Sequence, residues 1–77
     1  MSRFREYFLA LSAAERASFA QRVGTSVGYL LQVAYGRKQA GLGFADAIVS
    51  VAGGEISLDD LPLTERARQQ HQIRMGA

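Results

Sequence analysis

The sequence predicts an all-α, compact domain of four to five helices, on three observations. Apolar residues recur at i, i+3, i+4 and i+7, the spacing of one helix face. Serine and threonine stand where helices begin, and Gly24, Gly36 and Gly53 follow periodic segments, where a left-handed residue closes a helix. With 77 residues, 48% of them apolar, the chain has material for one domain around one modest core.

Phe4, Tyr7, Phe8 and Leu11 place three aromatic rings and a leucine on one stripe, giving a first helix of about three turns. Ser12 and Glu15 have the spacing of a capping box, so a second helix begins at Ala13. Its expected buried side is Ala17, Phe19, Ala20 and Val23, and Gly24 stops it. Thr25 then caps a third helix, with Leu30, Val33 and Ala34 facing inward and Gly36 ending it. Residues 36–43 read as a loop carrying Arg37 and Lys38. Phe44, Ala45, Ile48, Val51 and Ala52 mark a fourth helix ending at Gly53 and Gly54. Ile56, Leu58 and Leu61, around the cap signal of Ser57 and Asp60, suggest a helical turn that packs back and stops at Pro62. The expected domain is therefore 1–62. Residues 63–77 hold scattered apolar groups among Gln and Arg and read as a C-terminal tail, partly helical or disordered.

Composition narrows the function classes. No segment approaches the ~18 consecutive apolar residues of a membrane span, and Arg3, Arg5 and Glu6 stand where a signal peptide would be apolar, so a cytoplasmic protein is expected. The chain has no cysteine, hence neither disulfide nor thiolate metal site, and His71 has no second histidine to share a metal. No cofactor is expected. Nor does the sequence offer paired carboxylates with a phosphate loop, or a nucleophile with a base, so an enzyme is not expected.

Charge is unevenly spread: residues 1–38 carry six basic groups against Glu6 and Glu15, a balance of +4, whereas residues 39–62 carry Asp46, Glu55, Asp59 and Asp60, a balance of −4. Such asymmetry suits a molecule that turns one face toward a polyanion, or simply a mixed surface. Phe19, Ala20, Gly24, Leu30 and Val33 together describe two helices crossing around a short turn. Ala20 is small at the crossing, Gly24 allows the turn, and Leu30 and Val33 fasten the second of the pair to the core. In a helix-turn-helix unit, the N-terminal part of that helix enters the major groove, about 12 Å wide.

Within this pattern the stretch FAQRVGTSVGYLLQVAYGRK resembles the helix-turn-helix of phage Cro-type repressors and YdaS-like regulators. The resemblance extends over residues 12–38 and, more loosely, to Gly53-Gly54-Glu55-Ile56 and Asp59-Asp60-Leu61-Pro62. It implies a lambda-repressor-like fold and a transcriptional regulator that binds an operator in double-stranded DNA, often as a symmetric dimer. By position, residues 25–35 become the recognition helix, with Ser26, Val27, Gly28, Leu31, Gln32 and Tyr35 outward. Gln32 is the expected base reader, since its amide matches adenine N6 and N7. Val27 and Leu31 suit thymine methyl groups, with burial at a helix or subunit contact the alternative for Leu31. Gly28 favours close backbone approach at the expense of helix propensity. Arg16, Thr25, Arg37 and Lys38 are expected at phosphates. Tyr29 reads as core, and Arg66, Arg68 and Arg74 as a solvated tail or an accessory arm. The competing reading is a helix-turn-helix-derived protein-interaction or antitoxin-like adaptor.

Overall fold

The computed structural model describes residues 3–76; the outermost ends of the expected domain and tail lie outside the described residues. Five α-helices follow one another: α1 (Arg3–Ala10), α2 (Ala13–Val23), α3 (Val27–Ala34), α4 (Leu42–Ala52) and α5 (Glu65–Gly76), with one 3-10 turn at Leu58–Asp60. Among the described residues the only β feature is an isolated parallel bridge between Ala40 and Leu63. The all-α class is therefore observed. No described helix is long and apolar enough to cross a membrane.

The core is contiguous and draws on every helix. Phe4 and Phe8 of α1, Phe19 and Ala20 of α2, Leu30, Val33 and Ala34 of α3, and Ala45, Ile48 and Ala52 of α4 are all buried. Phe8 and Phe19 meet edge to face at 5.9 Å, and the Tyr7 ring meets Phe19 at the same distance, a geometry favoured by the ring quadrupoles. In α2 the inward stripe differs from the expected one. Ala17 is exposed, and the half-buried position one turn before Phe19 and Ala20 belongs to Arg16. Residues 16, 19, 20 and 23 fall at i, i+3, i+4 and i+7, so the stripe runs through an arginine rather than through Ala17.

Ser12 caps α2 as its spacing predicts. Its Oγ accepts from the Glu15 amide at 3.1 Å and its own amide donates to Glu15 Oε1 at 2.8 Å. Gly24 closes α2 at φ 93°, in the left-handed region that only glycine enters freely. The next amide, that of Thr25, donates to the Ala20 carbonyl at 2.9 Å. That bond keeps Thr25 in the turn, so the cap of α3 falls on Ser26, whose Oγ accepts from the Tyr29 amide at 3.1 Å. The expected cap at Thr25 and the expected helix over residues 25–35 are corrected accordingly, to Ser26 and Val27–Ala34.

The core does not stop at Pro62. The Ala40 amide donates to the Pro62 carbonyl at 2.8 Å and the Thr64 amide to the Ala40 carbonyl at 3.0 Å, tying this segment to the loop after α3. Leu63 and Ala67 are buried, Thr64 Oγ1 accepts from the Ala67 amide at 3.1 Å, and α5 packs on α4. Two polar contacts hold its distal half: His71 with Asp59 at 3.2 Å, and Arg74 with Asp46 at 3.4 Å. Residues expected as a tail thus complete the domain.

Candidate nucleic-acid interface

α3 has two faces of opposite character. Leu30, Val33 and Ala34 are buried against the core, while Gly28, Gln32 and Tyr35, at i, i+4 and i+7, form an exposed row on the other side. Val27 and Leu31 are half-buried at the margin and pack against the core. Leu31 also lines a shallow hollow of about 240 Å³ with Gln32, Tyr35 and Arg37. Tyr29 sits at the opposite margin, its ring edge-on to Phe44 at 5.5 Å, but it is 37% exposed and outside the buried core, so its reading as core is corrected to a surface ring packed on one neighbour.

The end of α3 sets the place of the two cations that follow it. Gly36, at φ 77°, lets the chain reverse. Its amide donates to the Val33 carbonyl at 3.0 Å, and the amides of Arg37 and Lys38 both donate to the Gln32 carbonyl, at 2.8 and 3.3 Å. This is the Schellman closure, which satisfies carbonyls a helix leaves open. It anchors the backbone of Arg37 and Lys38 on the same residue whose side chain lies in the exposed row. Both side chains are exposed.

The structure separates the other expected phosphate contacts. Ser26 is exposed, and its hydroxyl keeps a proton to donate after accepting from Tyr29. Thr25 is half-buried with its amide already used, which leaves only its hydroxyl. Arg16 leaves the set altogether. Its Nε donates to the Phe8 carbonyl at 3.2 Å and its Nη2 to the Leu9 carbonyl at 2.8 Å, with the guanidinium 5.9 Å from the Phe8 ring. It is a cap on the last turn of α1, turned inward by its place in the apolar stripe of α2.

Charge along this part of the chain is of one sign, although Arg16 is turned onto α1. From Arg16 to Ala45 the chain contains no acid and four cations, and the acids that follow are partly engaged: Asp46 with Arg74, Asp59 with His71. Asp60 accepts from the Ser57 amide and hydroxyl at 2.9 and 3.1 Å. One cation near α3 lies outside the expected set: the Arg5 guanidinium of α1 stacks on the Tyr35 ring, 4.5 Å from its centroid. Its sequence signal is position, three residues before buried Phe8 and so at the edge of the α1 face that packs on α3. Among the described residues no three His, Cys, Asp or Glu side chains gather as a metal set would. Comparison of the chain with family models, with curated proteins and with solved structures returns no match.

Proposed function

We propose that this chain is a sequence-specific, double-stranded-DNA-binding regulator of transcription, a Cro-like repressor acting on an operator, with α2 and α3 as its helix-turn-helix. The observation that carries the reading is the exposed row Gly28, Gln32 and Tyr35, backed by a fully buried face and ended by the anchored cations Arg37 and Lys38. A helix fastened on one side and polar on the other, with phosphate-seeking charge at its end, is what major-groove readout requires. Gln32 reads a base through its two-way amide, Tyr35 and Leu31 offer ring and methyl contacts, and Arg37, Lys38, Ser26 and the Thr25 hydroxyl meet the backbone. α1 and α2 pack against α3 from behind and leave Gly28 and Gln32 of its row exposed, with Arg5 of α1 over the Tyr35 ring.

A single module of this size buries on the order of 600–1,000 Å² on DNA, so specific binding calls for a homodimer on two half-sites about one helical turn apart. Such a regulator works in the cytoplasm. Selection from a random duplex pool tests the reading. The expected winner is palindromic, and Gln32→Ala relaxes preference at one base pair per half-site, losing about 1–3 kcal/mol of discrimination there. A pool from which nothing is enriched contradicts it.

A second reading, a protein-interaction or antitoxin-like adaptor, draws on Ile73 and Met75, which are 71% and 72% exposed on α5. Apolar association responds little to salt, whereas phosphate contacts weaken steeply with it, so a salt titration separates the two.

A further inference from the structure

Arginine side chains in this chain divide by how their donors are used. Arg3 donates to the Glu55 carbonyl at 3.3 Å, Arg16 donates to two carbonyls of α1, and Arg74 meets Asp46. Arg22, Arg37, Arg66 and Arg68 are exposed and have neither a ring nor an acceptor to fix their side chains among the described residues. Arg5 combines the two conditions that the others split. Its guanidinium is fixed, half-buried and stacked 4.5 Å over the Tyr35 ring, yet among the described residues no acceptor takes any of its five N–H groups.

A contact with the ring face occupies the cation without supplying an acceptor to its N–H groups. Tyr35 itself is 47% exposed, at the end of the outward row of α3. A cation restrained there with its donors unused has given up part of its rotamer freedom before any ligand arrives, which favours binding of a planar, two-oxygen anion. The phosphodiester backbone is such an anion, and Tyr35 has a cation at its ring in Arg5 and shares its hollow with a second, Arg37.

We infer that Arg5, positioned by Tyr35, is a phosphate contact of this protein, a nucleic-acid clamp supplied by the first helix beside the reading helix. The inference rests on the DNA-binding reading and adds to it a residue that Arg16 does not replace. Arg5 makes the contact; Tyr35 is its positioning residue.

The test uses the full chain and a random-sequence DNA duplex, with affinity measured over a range of salt concentrations. For Arg5→Ala the slope of log affinity against log salt is expected to fall by about 0.9, the loss of one phosphate contact. Affinity at low salt falls on the order of tenfold, equally for all duplex sequences, as a lost charge-assisted hydrogen bond implies. Arg5→Lys restores most of the slope, and Tyr35→Leu loses more affinity than Tyr35→Phe, because only the latter keeps a ring beneath the guanidinium. Circular dichroism melts of each variant establish that it is folded. Wild type that binds duplex while Arg5→Ala keeps the wild-type slope overturns the clamp alone; wild type that binds no duplex at low salt overturns the DNA reading and the clamp with it.

Discussion

Gly28 exposes a conflict between what stabilises α3 and what the proposed interface needs. It lies inside the helix, needs no positive φ, and a Cβ placed there would meet no atom within 4 Å. Nothing in the fold calls for glycine, and alanine at that position is expected to stabilise the protein by about 0.5–1 kcal/mol. The same Cβ projects into the outward row, so Gly28→Ala is predicted to raise the urea midpoint while weakening duplex binding; equal or tighter binding would remove the close-approach role. Arg16 gives the complementary case. Arg16→Ala leaves two carbonyls of α1 without their charged donor and is predicted to lower stability by about 1.5–3 kcal/mol, without changing the salt slope of binding. Glu15 adds a dependence on pH. The Ser12 amide and hydroxyl hold its carboxyl below the usual carboxylate range. A depressed folded-state value means the contribution is present above the unfolded value and is lost as pH falls through the folded one. The stability difference between wild type and Glu15→Ala, from urea unfolding, should therefore narrow in acid.

At the scale of elements, α1 to α4 were legible because their signals are local. Capping spacing and the glycine at 24 place the start and end of α2, and periodicity alone finds Leu30, Val33 and Ala34 on α3. The cap of α3 falls one residue beyond the expected Thr25 because the Thr25 amide, with that of Gly24, bonds back to the end of α2, a demand no window confined to α3 contains. The expectation of a partly helical or disordered tail misses the docking of α5 for a related reason. Its docking face follows helical spacing through Ala67, His71 and Arg74, but two of those three are polar, so the apolar period disappears. Its anchors, Ala40 with Pro62 and Thr64, are long-range. Removal of residues 63–77 is predicted to cost more than the loss of one buried leucine, since Leu63→Ala alone is expected to cost about 2–5 kcal/mol. In a domain whose whole stability is about 5–15 kcal/mol, that truncation should lower Tm by well over ten degrees. A chain of residues 1–62 that melts with the full-length protein would show that α5 only rests on the domain. By contrast, Arg74→Ala at a half-exposed pair should change stability by under about 1 kcal/mol.

Over the whole molecule, the division of charge seen along the chain becomes a division of surface use. The outward row of α3 was legible from its spacing, as were Arg37 and Lys38 beside it. Arg16 was not, because its hydrogen bonds run to a different helix, and Arg5 was not, because its partner ring lies 30 residues away in sequence. The acids of residues 39–62 engage α5 at Asp46 and Asp59, while residues 16–45 remain free of acid. Arg5, Arg37 and Lys38 lie beside the outward row of α3, while Asp46 and Asp59 pair with the helix that closes the core. If the row on α3 is the surface that meets DNA, adding a short random-sequence duplex to the isotope-labelled chain at low salt should shift one connected set of amide signals. The largest shifts are expected at Gly28, Gln32, Arg37 and Lys38, with the Arg5 side chain moving alongside them and α5 unchanged. Shifts confined to α5 around Ile73 and Met75, or no shifts at all, would contradict it.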